Sequence, residues 1–300
     1  MDMTQNKCCR HGASLRRRRR RRRKILCFII FSCSIIAVAV FVAVGSSMIR
    51  SGDGRTNKYD VEAGNNTYDN AVIENSKISE KNKIQNNQSM LDDIMNSTQY
   101  PKQLKDLALK NEEALEFVYD YPAEHVKEHT IDLTEEASMD SVPLFVQWDK
   151  RWGYEKYSGN FFAASGCGPT TLSMVVVYLT HNREASPIAV AKYSKEAGYS
   201  VDGSGSSWTL ISEGCMHYGV KAKTVALDES RMKAELDEGH PIVVNVGPGD
   251  FTDTGHFMVI TGYDDEGFSI NDPNSIEKSG KRWLFRNISS QIRAVWSMYV

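Results

Sequence analysis

The pattern of apolar and polar positions changes character four times along the chain. From Ile25 to Ile49 no charge interrupts an apolar run, and Arg16 to Arg23 with Lys24 stand directly before it. Such a run exceeds the roughly 20 residues that cross a bilayer as a helix. Ser51 to Gln99 is rich in Asn, Asp, Ser and Lys and poor in large apolar residues, so it reads as a solvated stalk that cannot bury enough surface to fold. From Tyr100, Leu104, Leu107, Ala108, Leu115, Phe117 and Val118 recur on a helical period, which predicts one helix ending near Tyr121-Pro122. The core-forming pattern runs from Val142 to Val300.

Within that last stretch, Val142 to Val146 reads as a strand. Thr170 to Thr180 carries Leu172, Val175, Val176 and Leu179 on one helical face, with Pro169 suited to a first turn. Further helices are expected from Ser186-Pro187 to Gly198, over Ser207 to Tyr218 stopped by Gly219, and over Ser230 to Glu238 stopped by Gly239. Val220 to Leu227, Pro241 to Val246, His256 to Gly262 and Phe268 to Asn271 read as strands, with Asp264 to Gly267 as a hairpin turn. Trp283-Leu284-Phe285 and Ala294 to Val300 close the series. Helices first and an antiparallel sheet after them is an α+β order.

Charge sharpens these divisions. Residues 1 to 50 carry a net +11, residues 51 to 140 a net −10 and residues 141 to 300 a net −3. The cationic block before an apolar run places the N-terminus in the cytoplasm and everything after Arg50 outside, with the lipid bilayer met through residues 25–49. A secreted form after signal cleavage, at small residues such as Ala43 to Ser47, is the alternative. Because the near-neutral C-terminal part has no basic stripe, no nucleic acid is expected as a partner. The segments are thus a basic cytoplasmic tail over 1–24, a signal anchor over 25–49, a disordered stalk over 50–99, a helical extension over 100–140 and the folded domain over 141–300.

Of six cysteines, at 8, 9, 27, 33, 167 and 215, only the last two fall in the folded part. No CxxC pair occurs, so neither a zinc site nor a redox dithiol is read here and no cofactor is called for. A Cys167 to Cys215 disulfide is one alternative; the helical spacing of Cys215 after Trp208 and Ile211 favours a packed core position instead. Gly166-Cys167-Gly168-Pro169-Thr170 sets a thiol at the start of an apolar helix, where unpaired N–H groups and the helix dipole favour a thiolate. A nucleophilic thiol needs a base. His181 lies past the far end of that helix, His217 sits late in another helix and His240 precedes a proline, whereas His256 opens a strand after Gly255. The hairpin returns Asn271-Asp272-Pro273 toward His256, so Asp272 is a candidate to orient the imidazole. Gln147, after the first strand, is a candidate amide donor beside the Cys167 N–H for a tetrahedral oxyanion.

The runs P-L-F-V-Q-W-D from Pro143, G-C-G-P-T from Gly166, G-H-F-M-V-I-T-G from Gly255 and N-D-P-N from Asn271 resemble the papain-like cysteine peptidases of the bacteriocin (double-glycine leader)-processing type, in particular their stand-alone exported members from Gram-positive bacteria. The helix from Tyr100 is similar to the extension of those members. The resemblance implies a papain-like α+β domain over residues 141–300, with Cys167 as nucleophile, His256 as base, Asp272 as orienter and Gln147 in the oxyanion hole. Members fused to a multi-helix membrane domain and an ATPase differ from this chain, which has no GxxxxGK[ST] loop. The expectation is a membrane-anchored, outward-facing thiol hydrolase acting on a peptide or acyl substrate outside the cytoplasm. Acyl transfer or cell-wall amidase chemistry at the same site is one alternative, and a catalytically idle wall- or partner-binding module is another.

Overall fold

A computed structural model describes the backbone over residues 66–300 and side chains from residue 79. The apolar run at 25–49 and the basic tail lie outside the described residues. No helix among the described residues is long and apolar enough to cross a membrane.

The N-terminal elements are α1 (Asn66–Asn96), α2 (Lys102–Lys110) and α3 (Leu115–Tyr119). They precede α4 (Cys167–Thr180) and α5 (Pro187–Glu196), then β1 (Lys221–Thr224) and α6 (Glu229–Asp237). The remaining chain forms β2 (Ile242–Val246), β3 (His256–Asp264), β4 (Gly267–Asn271), α7 (Ile276–Ser279), β5 (Arg282–Trp283) and β6 (Ile292–Tyr299). These six strands join one antiparallel sheet in the order β1-β6-β2-β3-β4-β5, and two small two-stranded ladders lie apart from it. Helices on one side of the chain and an antiparallel sheet after them give the expected α+β architecture.

Alternation along the strands separates two cores. Val243, Phe257, Val259, Trp296 and Met298 pack with Leu172, Val175 and Val176 of α4, so this helix lies against the sheet. Val244, Val246, Met258, Ile260, Ile270 and Val295 pack with Met232 and Leu236 of α6. Each such aliphatic side chain contributes about 1.5–3 kcal/mol when fully withdrawn from water. A third cluster joins Ile94, Leu104, Leu107, Leu115, Phe117 and Val118 to Phe161 and Ala163. It fastens the N-terminal helices to the segment that leads into α4.

Five expectations change. The stretch read as a disordered stalk is helical over Asn66–Asn96, and the fully buried Ile94 ties the end of this polar helix to the third cluster. The helix expected from Tyr100 to Tyr121 is broken at Asn111, whose backbone is extended and whose side chain accepts the Glu113 N–H at 3.0 Å. Asparagine offers its own carbonyl in competition with the helical ladder. Val142 to Val146 runs without a strand partner; the carbonyls of Val142 and Pro143 accept the Asn271 amide at 3.1 and 3.0 Å, and Val146 O accepts the Trp152 indole at 2.9 Å. Ser207 to Tyr218 splits into a helical turn over Thr209–Ser212 and a 3-10 segment over Gly214–Tyr218, divided at Glu213. There Gly214 lies so close to the Tyr199 ring that an added Cβ would meet it at 3.1 Å. Finally, only Arg282–Trp283 is extended before a helical turn over Phe285–Ile288.

Candidate active site

Cys167 is the first residue of α4, so its own N–H has no intrahelical acceptor. Two glycines allow the approach of neighbouring chain. A Cβ on Gly166 would lie 2.6 Å from the Phe162 ring, and one on Gly168 would lie 2.5 Å from Ser206 Oγ. Ser206 is held in turn by Tyr157 Oη at 2.6 Å, which also meets Ser194 Oγ at 2.8 Å. The thiol is half-buried, whereas Cys215 is fully buried; both are free, which removes the disulfide alternative. Burial pushes the Cys215 thiol up to about 11, so it is the inert one of the two.

The start of β3 supplies the imidazole. Thr171 Oγ1, one turn into α4, donates to Phe257 O at 3.1 Å and pins the helix to the strand beside His256. Asn245 Nδ2 donates to His256 O at 3.2 Å from the neighbouring strand. His256 Nε2 lies 2.6 Å from Asp272 Oδ1, with the imidazole 7% and the carboxylate 0% exposed. Since Nε2 is engaged by the carboxylate, Nδ1 is the ring nitrogen left over, and the charge of His256 reaches the Cys167 thiol.

Electrostatics follow from that chain of contacts. Burial disfavours a charged imidazole, but the Asp272 carboxylate and the Cys167 thiol overcome it and hold His256 up at about 10. For Cys167, burial likewise opposes ionisation. The hydrogen bond and charge of His256, with the Phe257 and Gly168 amides, overcome it and hold the thiol below its ordinary value. Both directions favour the thiolate–imidazolium form of the pair.

Asp272 is held by its own loop. Asn274 N donates to Asp272 Oδ1 at 2.8 Å, and Asp272 N donates to Ser279 Oγ at 2.9 Å. Asp272 Oδ2 is buried without a hydrogen-bond partner among the described residues. The same loop reaches Gln147, because the Gln147 N–H donates to Pro273 O at 2.7 Å. The Gln147 side chain is buried and its Nε2 donates to Ala163 O at 2.7 Å. A carbonyl can only accept, which fixes the orientation of this amide and leaves its second N–H uncommitted. Gln147 is therefore tied to the residues that enter α4.

The remaining histidines fall elsewhere. His181 caps α4 in a left-handed conformation and its Nδ1 meets Ala137 O at 2.8 Å. His217 stacks on Tyr193 with ring centroids 4.0 Å apart, and His240 Nδ1 faces Glu235 at 3.1 Å. Residue patterns gave no role to Thr171, Asn245, Asn274 or Ser279. Thr171 is one of several hydroxyl residues in its helix, beside Thr170 and Ser173, so residue type alone does not single it out.

A half-buried thiol at the head of a core helix packed on an antiparallel sheet that carries a buried imidazole–carboxylate pair is the arrangement of a papain-like fold. Residues 139–300 match the model of the Peptidase_C39 like family, more than half of the chain, and the protein belongs to that family. Among solved structures, it is similar to the peptidase domain of Streptococcus ComA, a bi-functional ABC transporter involved in a quorum sensing pathway. That similarity has 20% identity over 45% of this chain and 90% of that one, with a TM-score of 0.36. A Bacillus anthracis protein described as a C39-like peptidase is similar at 17% identity over 53% of this chain and 95% of its own, with a TM-score of 0.33. No curated protein gave a significant match.

Proposed function

We propose that this protein is a cysteine peptidase-type hydrolase of peptide or other acyl substrates, with Cys167 as nucleophile, His256 as acid and base, Asp272 as orienter and Gln147 as oxyanion donor. The observation that carries this reading is the buried 2.6 Å contact of His256 Nε2 with Asp272 Oδ1, which leaves Nδ1 to the thiol. In the first step the thiolate forms a bond to the acyl carbon, and the carbonyl oxygen becomes an oxyanion facing the Cys167 N–H and the free Gln147 N–H. As the carbon–nitrogen bond breaks, the imidazolium gives its proton to the leaving amine. Water then loses a proton to the neutral imidazole and attacks the thioester, and the carboxylic acid product leaves as the thiolate–imidazolium pair is restored. Asp272 keeps the imidazole in one orientation and offsets its charge in the protonated steps.

Besides Cys167 the full chain contains five cysteines, at 8, 9, 27, 33 and 215, so the test reads each site separately. Peptide mapping after brief treatment with iodoacetamide at neutral pH is expected to find Cys167 alkylated faster than a free thiol. Cys167→Ala is expected to abolish hydrolysis of a mixed peptide substrate while the circular dichroism spectrum stays unchanged. Hydrolysis retained in that variant would overturn the assignment. Added amine distinguishes hydrolysis from acyl transfer by the product formed. The placement of this domain outside the cytoplasm rests on the charge pattern around residues 25–49; proteolysis of intact cells that spares the domain would refute it.

A further inference from the structure

We propose that Glu113, carried by the helical extension, is a positioning residue for Asp272. The inference rests on the reading of Cys167, His256 and Asp272 as the reactive set. It starts from three donors that converge on one carboxylate. Ser275 Oγ donates to Glu113 Oε1, while the Ile276 and Glu277 amides donate to Oε2 at 2.7 and 3.1 Å. All three belong to the loop and turn that follow Asp272.

From there a short relay reaches the backbone of the orienting residue. Ser275 N donates to Asp272 O at 3.2 Å, and Ser275 O accepts Ser279 Oγ at 2.7 Å. Ser279 Oγ in turn accepts the Asp272 N–H at 2.9 Å. Ser275 Oγ also accepts the Lys278 N–H at 3.1 Å, so the residue that Glu113 grips is itself the cap of α7. Beside this contact, Asn111 Nδ2 donates to Asn274 O at 2.9 Å, and the Asn274 N–H is the second donor on Asp272 Oδ1. The extension therefore holds the consecutive residues 274–277 that follow Asp272.

Glu113 is not needed to keep the extension in place. That segment is fastened by Ile94, Leu104, Leu107, Leu115, Phe117 and Val118 against Phe161 and Ala163. Loss of the Glu113 carboxylate leaves one hydroxyl and two amide donors of the loop without their acceptor. The relay then loosens, and the Asp272 to His256 contact loses its fixed distance. A less supported imidazolium means a less stabilised thiolate.

The test follows alkylation of Cys167 by iodoacetamide across pH in the full chain, read by peptide mapping, for wild type, Glu113→Gln and Glu113→Ala. Glutamine keeps the shape but has one acceptor oxygen in place of two. The expected result is that the acid edge of the Cys167 profile moves up, by about one pH unit for alanine, which is roughly a tenfold slower reaction below that edge. Glutamine is expected to fall between alanine and wild type. Should alanine unfold the domain, the glutamine profile decides. A wild-type edge at the ordinary thiol value would sink the reactive-set reading and this inference with it. A depressed wild-type edge that both variants reproduce would overturn the role of Glu113 alone.

Discussion

Replacing Asp272 by asparagine tests the electrostatics of the pair at its most buried point. The carboxylate is 0% exposed and 2.6 Å from His256 Nε2, and Asn274 N shares the same oxygen at 2.8 Å. Asparagine must keep its carbonyl toward these two donors, so its NH₂ takes the place of Oδ2, which is buried without a partner among the described residues. An unmet buried donor costs about 1–3 kcal/mol. The charge effect comes on top. Holding the imidazole at about 10 rather than 6.5 corresponds to roughly 5 kcal/mol in favour of imidazolium, against the opposing pull of burial and shared with the Cys167 thiolate. One opposite charge at contact distance accounts for about one to three pH units.

His256 is raised, so the stabilisation of its charged form is fully present below 6.5 and is lost as the pH climbs through about 10. Cys167 is lowered, so the thiolate's contribution is present above the ordinary thiol value of 9.0 and is lost as the pH falls through its depressed value. The ion pair thus occupies the window between the depressed Cys167 value and about 10. Asp272→Asn should narrow it from both sides, with the lower edge moving up and the upper edge moving down by about one to three pH units. Thiolate ultraviolet absorbance, taken as the difference between each protein and its Cys167→Ser counterpart, reads the lower edge. Turnover, which in the proposed mechanism needs the imidazolium as acid, reads the upper one. Titrations of Asp272→Asn that superimpose on wild type at both edges would refute the electrostatic account.

Gln147→Ala removes an amide donor without touching the charged pair, so turnover is expected to fall about 10²–10³-fold while the Cys167 alkylation profile keeps its edge. Equal losses in both measurements would make Gln147 a structural tether only, through its 2.7 Å bond to Ala163 O. Gly168→Ala places a methyl 2.5 Å from Ser206 Oγ and 2.7 Å from its Cβ, so a thermal melt should show overpacking of about 1–3 kcal/mol. A melt equal to wild type would mean that the 205–206 segment yields freely.

Much of this site was legible because its parts are local. Gly-Cys-Gly-Pro before an apolar face announces a thiol at a helix start, and α4 begins at Cys167 as that pattern requires. Asp264 to Gly267 announces the hairpin, and the β3–β4 ladder does turn at the Asp264 to Gly267 pair. The register beyond the turn was not legible. Pairing runs regularly to Gly262 with Ser269, then slips by one residue at Thr261, so that Val259 faces Asn271. Without the slip Val259 would face Asp272, and the carboxylate would sit one residue further from His256 with its side-chain direction reversed. Nothing in the residue types around Thr261 announces a bulge. Likewise, the bond of Asn111 to Asn274 and the reach of Glu113 to Ser275 are contacts across more than 160 positions. Periodicity has no access to these.

The loop after β4 is where the separate parts of the site become one device. Pro273 O holds the Gln147 backbone, and Asn274 O accepts the Trp148 indole at 3.2 Å. The oxyanion-donor candidate and the proposed orienting carboxylate therefore take their positions from adjacent residues of a single loop. The thiol and imidazole are registered by a different contact, that of Thr171 with Phe257 O between α4 and β3. Displacement of the loop must move the amide donor and the carboxylate together, whereas displacement of α4 along the sheet alters the thiol-to-imidazole distance first. Buried polar groups that share partners in this way respond as a network rather than as independent pairs. On the proposed reading, the polar contacts of the loop with Asn111, Glu113, Gln147 and Trp148 bear on the chemistry of Cys167 although Asn111, Glu113 and Trp148 meet no reacting atom.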